Sequence, residues 1–221
     1  MRYVNQTAGL TDLLPGRLVL ERGAAADYRA LAHFHYAAGA PATWAGVWAV
    51  RYFEERVGAK GQGCDETRDK DGALSFHSAR TKRTQPATVA VAVLSYPVPS
   101  CRPRERWFGL TGTRAENLVF ANANLRTISR VVVHPQFRSL GLSTLLVRCL
   151  CEHCDTRFVE AIAMMGRAHP LFDRAGMTRT NPDAPDDEPA YYVLDRLSVE
   201  SIATTHTRRP TIDRHPERSA A

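Results

Sequence analysis

The sequence predicts an α/β domain in which strands and helices alternate along the chain, and three observations predict it. Runs of β-branched and aromatic residues, such as ATVAVAVLSY at 87–96, alternate with segments whose apolar residues recur at spacings of three and four. Between Ile128 and Ser143, ISRVVVHPQFRSLGLS, three valines run into His134-Pro135, a loop follows with Arg138 and Gly141, and apolar periodicity resumes at Leu142. A buried strand there passes through a glycine loop into a helix. The 221 residues, 44% apolar and 24% charged, suit one globular domain of ordinary size.

Taken in order, RLVLER (Arg17–Arg22) is a first strand, and Ala24–Ala38 a helix with Tyr28, Leu31, Ala32, His35 and Tyr36 on one side. WAGVWAVRYF (Trp44–Phe53) and Ala87–Tyr96 are the next strands. Residues 58–84, polar and glycine-bearing, form an insertion, either an extended hairpin or a partly disordered surface segment. Three prolines between Pro97 and Arg104 predict a loop, and Arg114–Asn124 a helix leading into the central strand Leu125–Val133. Thr144–Cys154 is the helix after the glycine loop, with Leu145, Leu146, Val147 and Leu150 inward. Arg157–Met164 is a strand, Gly166–Ala175 a short helix closed by Gly176, and Ala190–Leu197 the last strand. The domain is expected to span 1–200, with residues 201–221 a disordered basic tail.

Charge and cysteines exclude several classes. The net charge of +6 concentrates between Ser78 and Arg106, where Arg80, Lys82, Arg83, Arg102, Arg104 and Arg106 face only Glu105. Without interleaved aromatics or a helix-turn-helix, zinc-finger or RNP signature, this is a basic surface or the surroundings of a polyanionic cofactor, and no nucleic acid partner is expected. The first residues, MRYVNQTAGL, lack the apolar core of a signal peptide, and no run reaches the roughly 18 apolar residues of a membrane span. A cytoplasmic protein with its five cysteines reduced is expected. Cys149, Cys151, His153 and Cys154 cannot converge tetrahedrally on one helix, so no metal site is expected.

The loop at 138–143 has the physical properties of a phosphate cradle. The first N–H groups of a helix lack internal partners, its dipole favours an anion, and Gly141 lets the backbone come close and take positive φ. A plain strand-turn-helix connection, capped by Ser143, is the alternative.

The order of elements, with VVVHPQFRSLGLSTLLV and the later AHPLFDRAGM, resembles the GNAT superfamily of acyl-CoA-dependent N-acetyltransferases. More narrowly, RTISRVVVHPQFRSLGLSTLLV followed by AMMGRAHPLFDRAGM looks like the acetyltransferase-like domain sometimes fused to ABC-type ATPases; the chain has no GxxxxGK[ST] loop, so any link to such an ATPase would be a functional association. The superfamily signature stands here as Arg138-Ser139-Leu140-Gly141-Leu142-Ser143, with Ser143 where a smaller side chain is usual. The resemblance implies a mixed, mostly antiparallel central sheet flanked by helices, with a cofactor cleft where central strands splay apart. It implies acetyl-CoA, or another acyl-CoA, held by Val131, Val133, Arg138, Ser139, Leu140, Gly141, Leu142, Ser143 and Thr144, with an unidentified amine as acceptor. The backbone of Val131 and Val133 would pair with the pantetheine arm like an added strand.

Catalytic groups are less legible. Many members place a proton-donating tyrosine four residues before the glycine that closes the short helix, and counting back from Gly176 that position is Phe172, which donates nothing. His169 has the titration range of a proton shuttle; Glu160 is either a base acting through water or a carboxylate on the wet face of a strand, and His134 ends the central strand. Tyr191 and Tyr192 alternate in the last strand, one expected to face the core. Asp183, Asp186, Asp187 and Glu188 could attract a cationic amine, and His33, His35, Tyr36 and Trp44 line a pocket or simply pack. Two functions follow: an acyl-CoA-dependent N-acyltransferase, or a non-catalytic GNAT-fold module that binds CoA or a protein partner.

Overall fold

Alternating β-branched residues build the first half of a seven-stranded sheet. In the computed structural model, which describes residues 16–36, 39–54, 86–166, 168–185 and 187–198, the strands β1 (Gly16–Arg22), β2 (Gly46–Glu54), β3 (Ala87–Ser95) and β4 (Leu125–Val133) pair antiparallel in sequence order. The second half comprises β5 (Phe158–Ala163), β6 (Thr178–Arg179) and β7 (Ala190–Asp195), and the sheet order is β1-β2-β3-β4-β5-β7-β6. Only β4 and β5 run parallel, so the sheet is mixed and mostly antiparallel, as expected. The insertion at 58–84 and the tail at 201–221 lie outside the described residues.

Helices cover both faces of the sheet. The α1 helix (Ala25–Leu31) lays Tyr28 and Leu31 on Val47, Val91, Val93 and Val132. On the opposite face, α4 (Leu142–Glu152) buries Leu142, Leu146, Val147 and Leu150 against Trp48, Val50, Ala90, Ala92 and Ile128. Full burial of each such aliphatic side chain stabilises by roughly 1.5–3 kcal/mol. The four-residue α5 (Leu171–Arg174) packs beside α4, while α2 (Arg102–Phe108) sits on the α1 face, where Cys101 and Phe108 meet Tyr191, Val193 and Phe158. An intervening helix, α3 (Arg114–Asn124), leads directly into β4, its first turn closed by reciprocal hydrogen bonds between Thr113 and Glu116.

The boundaries of α3 and β4 fall where the sequence puts them; β1, β2, β3, α4 and β5 shift by one or two residues, β6 was not expected, and four other elements differ for identifiable reasons. Helix α1 stops at Leu31 rather than Ala38, because its buried side ends there; a 3-10 turn (Ala32–Phe34) then carries His35 and Tyr36 out of the helix. The proline segment expected to be a loop yields α2, since Pro103 occupies the first turn, where a missing N–H has no helical partner to lose. Helical residues before Gly176 shrink to Leu171–Arg174, leaving His169 in the preceding turn. Strand β7 ends at Asp195, whose carboxylate accepts the Leu197 N–H and turns the chain.

Candidate functional site

The sheet opens between β4 and β5. The two strands pair over only three positions, Leu125 with Phe158, Arg126 with Val159 and Thr127 with Glu160, and then part. Immediately beyond, Val93 pairs with Arg130 and Leu94 with Ile128, so Ser129 is an extra residue in β4, a bulge of the kind that ends pairing and re-aims side chains. The Ser129 hydroxyl lies 2.7 Å from that of Ser95.

From the bulge onward, register fixes which groups β4 presents to the opening. The His134 N–H donates to the Val89 carbonyl at 2.8 Å, so by antiparallel alternation Val132 also bonds toward β3. The backbone groups of Val131 and Val133 therefore point away from β3, along an edge of β4 unpaired among the described residues. Arg138 Nε approaches the outward Val133 carbonyl at 3.4 Å.

The loop after this edge is left-handed at two positions, Ser139 with φ 67° and Gly141 with φ 74°. Gly141 is the N-cap of α4, which corrects the expectation that Ser143 caps the helix; Ser143 and Thr144 lie half-buried in its first turn. No side chain caps α4, in contrast to α3, so its first N–H groups remain for solvent or a ligand. Space around Gly141 is open, since a Cβ there would meet nothing within 4 Å. Arg138 and Ser139 are exposed, Leu140 is half-buried against the core, and Leu142 is 1% exposed, so of Leu142 only the main chain faces the loop.

The opening itself is a cavity of about 210 Å³ bounded by β4 from Ile128 to Val131, by Ile162 and Ala163 of β5, and by the turn into α5. His169 and Phe172 line it, joined by His35 and Tyr36 from the segment after α1. The Phe172 ring packs on Tyr192 with centroids 5.2 Å apart. Of the lining residues, Met165 and Tyr36 are 60% and 72% exposed. The sequence pointed to His169 and to a pocket near His35 and Tyr36; Arg130, which precedes the three valines of β4, it passed over.

Glu160 lies elsewhere, and the wet-face reading is wrong. It is fully buried, on the α2 side of the sheet. Arg104 donates from Nη2 and Nε to its Oε1 and Oε2 at 2.6 and 2.9 Å, Thr127 donates to Oε1 at 2.5 Å, and Tyr191 to Oε2 at 2.7 Å. Burial, and then the Glu160 carboxylate, hold the Tyr191 phenol well above its ordinary range, so it serves as donor. Four donors close around the carboxylate and leave no place for a water to be activated.

Other predicted residues are dispersed. Both Tyr191 and Tyr192 are buried; Tyr192 donates to Asp173 and to the Gly166 carbonyl, and neither hydroxyl lines the cleft. His134 begins the 3-10 turn Pro135–Phe137, accepts the Gln136 N–H on Nδ1 at 3.3 Å, and touches Phe34 and Phe137 outside the cleft. His153 Nδ1 lies 2.9 Å from the Cys149 carbonyl, and no cluster of metal-binding side chains occurs among the described residues. Of the basic stretch, Arg80, Lys82 and Arg83 lie outside the described residues, while Arg104 is buried on Glu160 and Arg106 pairs with Glu188, tying α2 to the acidic loop. No helix among the described residues is long and apolar enough to cross a membrane.

No protein-family model matches the sequence, and no curated protein matches it significantly. Among solved structures the fold is similar to the aminoglycoside acetyltransferase AAC(6')-Ib in complex with coenzyme A and kanamycin, at 16% identity and TM-score 0.38, covering 72% of this chain and 70% of that one. It is also similar to a GNAT family N-acetyltransferase, YhbS, from Escherichia coli in complex with CoA, at 10% identity and TM-score 0.43, covering 82% of each chain. Arabidopsis thaliana NAA60 in complex with acetyl-CoA is similar at 11% identity and TM-score 0.44, over 80% of this chain and 96% of that one. At these values the likeness lies in the outline of the chain and carries no information about chemistry.

Proposed function

We propose that the chain is an acyl-CoA-dependent N-acyltransferase of the GNAT type, moving an acetyl or other acyl group from acyl-CoA to an amine. The observation that carries the reading is the outward backbone of Val131 and Val133 on an unpaired strand edge, running directly into the uncapped, glycine-entered N-terminus of α4. An amide-bearing arm and a pyrophosphate, linked as they are in coenzyme A, need that pair of features in that order. The residues fit the group: two outward backbone positions for the arm, and the N–H groups of the 141–144 turn with the open space at Gly141 for phosphate oxygens.

Bound there, acyl-CoA supplies the activated thioester. The chain's own part is to hold the amine in the cleft against that edge and to manage protons. His35 and His169 line the cleft, and an imidazole in that position can relay the proton an ammonium must shed before attack. Phe172 leaves the departing thiolate without the usual hydroxyl, so protonation there falls to His169 or to water.

Calorimetric titration with acetyl-CoA, wild type against Gly141→Trp, tests the reading. Heat from the wild type and none from the variant is expected, because the indole would fill the phosphate cradle; no heat from either overturns it. Phe172 favours one other reading, a GNAT-fold module that binds CoA without turnover, for which heat would come with no thiol release in the presence of any amine.

A further inference from the structure

The charge inside the cleft identifies the acceptor class. Arg130 lines the cleft and is the one arginine or lysine among its described lining residues; none of those residues is acidic. Its side chain lies on the α1 face, because Arg130 pairs with Val93 and lies two residues from Val132, both packed under α1. The open backbone of Val131 and Val133, with α4 behind it, occupies the other side, so Arg130 faces the cleft from the side left for the acceptor.

The guanidinium is incompletely partnered. Arg130 Nη1 donates to the Ser129 carbonyl at 2.7 Å, while Nε is buried with no hydrogen-bond partner. Arg51, Arg104, Arg106, Arg126 and Arg157 each pair with a carboxylate, whereas among the described residues Arg130 pairs with none. A half-buried cation without a carboxylate partner gains when something anionic reaches its exposed guanidinium nitrogens. A guanidinium fork presents parallel N–H groups that match a carboxylate bidentately. Among the described lining residues Arg130 is the one arginine or lysine, matched to a single negative charge, and the described cavity of about 210 Å³, against roughly 300–1,000 Å³ for sites of drug-sized ligands, suits a small acceptor.

We propose that the acceptor is a small amine bearing a carboxylate, such as an amino acid, and that Arg130 receives that carboxylate. The inference rests on the acyltransferase reading above. The same guanidinium, held within several ångströms of the ammonium, favours its neutral, nucleophilic form by like-charge repulsion. In the transfer the amine nitrogen forms a bond to the acyl carbon and the carbon–sulfur bond breaks. Of the two protons the ammonium gives up, one ends on the thiolate as free thiol and the other in solvent.

The test titrates the L-amino acids, β-alanine and 4-aminobutyrate, each against its own carboxamide, and kanamycin as a carboxylate-free polycation, into protein saturated with coenzyme A, with wild type and Arg130→Gln in parallel. Thiol release from acetyl-CoA is followed with the same amines. At least one acid is expected to bind and react roughly tenfold better than its amide, the preference disappearing in Arg130→Gln while coenzyme A affinity is unchanged. Equal use of acids and amides, preference for kanamycin, a preference that survives in Arg130→Gln, or no amine engaged while coenzyme A still binds, overturns the acceptor assignment and leaves the cofactor reading intact. Loss of coenzyme A binding by the wild type overturns both.

Discussion

Thr127 donates its hydroxyl to Oε1 of Glu160 at 2.5 Å, and these two residues are the last pair of the parallel contact before β4 and β5 separate. The ion pair of Arg104 and Glu160 is thus anchored at the root of the cleft, under the point where the strands diverge. A fully buried carboxylate with four donors is stable only while each donor is present.

Removing Arg104 should therefore be severe. Arg104→Met is expected to destabilise the fold by about 3–5 kcal/mol, since it strands a buried charge, whereas the double variant Arg104→Met/Glu160→Met should recover much of the loss. Thr127→Val should cost about 1–3 kcal/mol, as one donor to a charged acceptor disappears. Urea unfolding of the four proteins measures all three values, and a double variant no better than Arg104→Met would sink the account.

Gly141 separates strain from occlusion. Gly141→Ala introduces a Cβ that meets nothing, yet places an L side chain at φ 74°, so a loss of roughly 1–2 kcal/mol in stability with coenzyme A binding largely kept is expected. Melting temperature and calorimetry together check it, because a clash would instead lower both.

Phe172→Tyr adds a hydroxyl to a ring that already lines the cleft. If the departing thiolate is protonated inefficiently in the natural protein, thiol release should rise about tenfold or more, with acetyl-CoA affinity little altered. Steady-state assays of kcat and KM would show whether the change falls in kcat as expected.

Burial pushes the Cys149 and Cys151 thiols up to about 12. An unfolded thiol titrates near 8.5, so the folded state holds protons that the unfolded state releases. The stabilisation is fully present below about pH 8.5 and is lost as pH rises toward 12, by up to about 1.4 kcal/mol per pH unit for each thiol. Denaturation curves across that range should show a loss of stability with rising pH in the wild type that is much smaller in Cys149→Ala/Cys151→Ala.

What could be read from sequence followed locality. Strand β4 and helix α3 were legible to the residue, because three consecutive valines mark the strand and α3 is the contiguous segment that leads into it. The glycine loop was legible too, although the left-handed Ser139 beside it carries no residue-type signature. Helix α2 was hidden by Pro103, whose type argues for a loop while its position argues for a helix start. Glu160 was misread because its partners Arg104, Thr127 and Tyr191 lie 56, 33 and 31 residues away, and nothing in the pattern FVEAI distinguishes a paired interior acid from a surface one. Arg130 escaped notice for a related reason: the bulge at Ser129 resets which face each β4 residue meets, and a bulge leaves no mark in this stretch of sequence.

The brevity of the β4–β5 contact also bears on how the sheet comes apart. The β1–β4 meander closes through neighbouring strands and is joined to the β5–β7–β6 half by three parallel pairs and the buried network beside them. With only three pairs across it, that junction is held by fewer backbone pairings than any of β1–β2, β2–β3, β3–β4 or β5–β7, and is expected to part before them. Amide exchange in the native protein would then divide at Thr127, with protection along β2 and β3 outlasting that of β5 and β7, and the seam between the two halves would be the first part of the sheet to open.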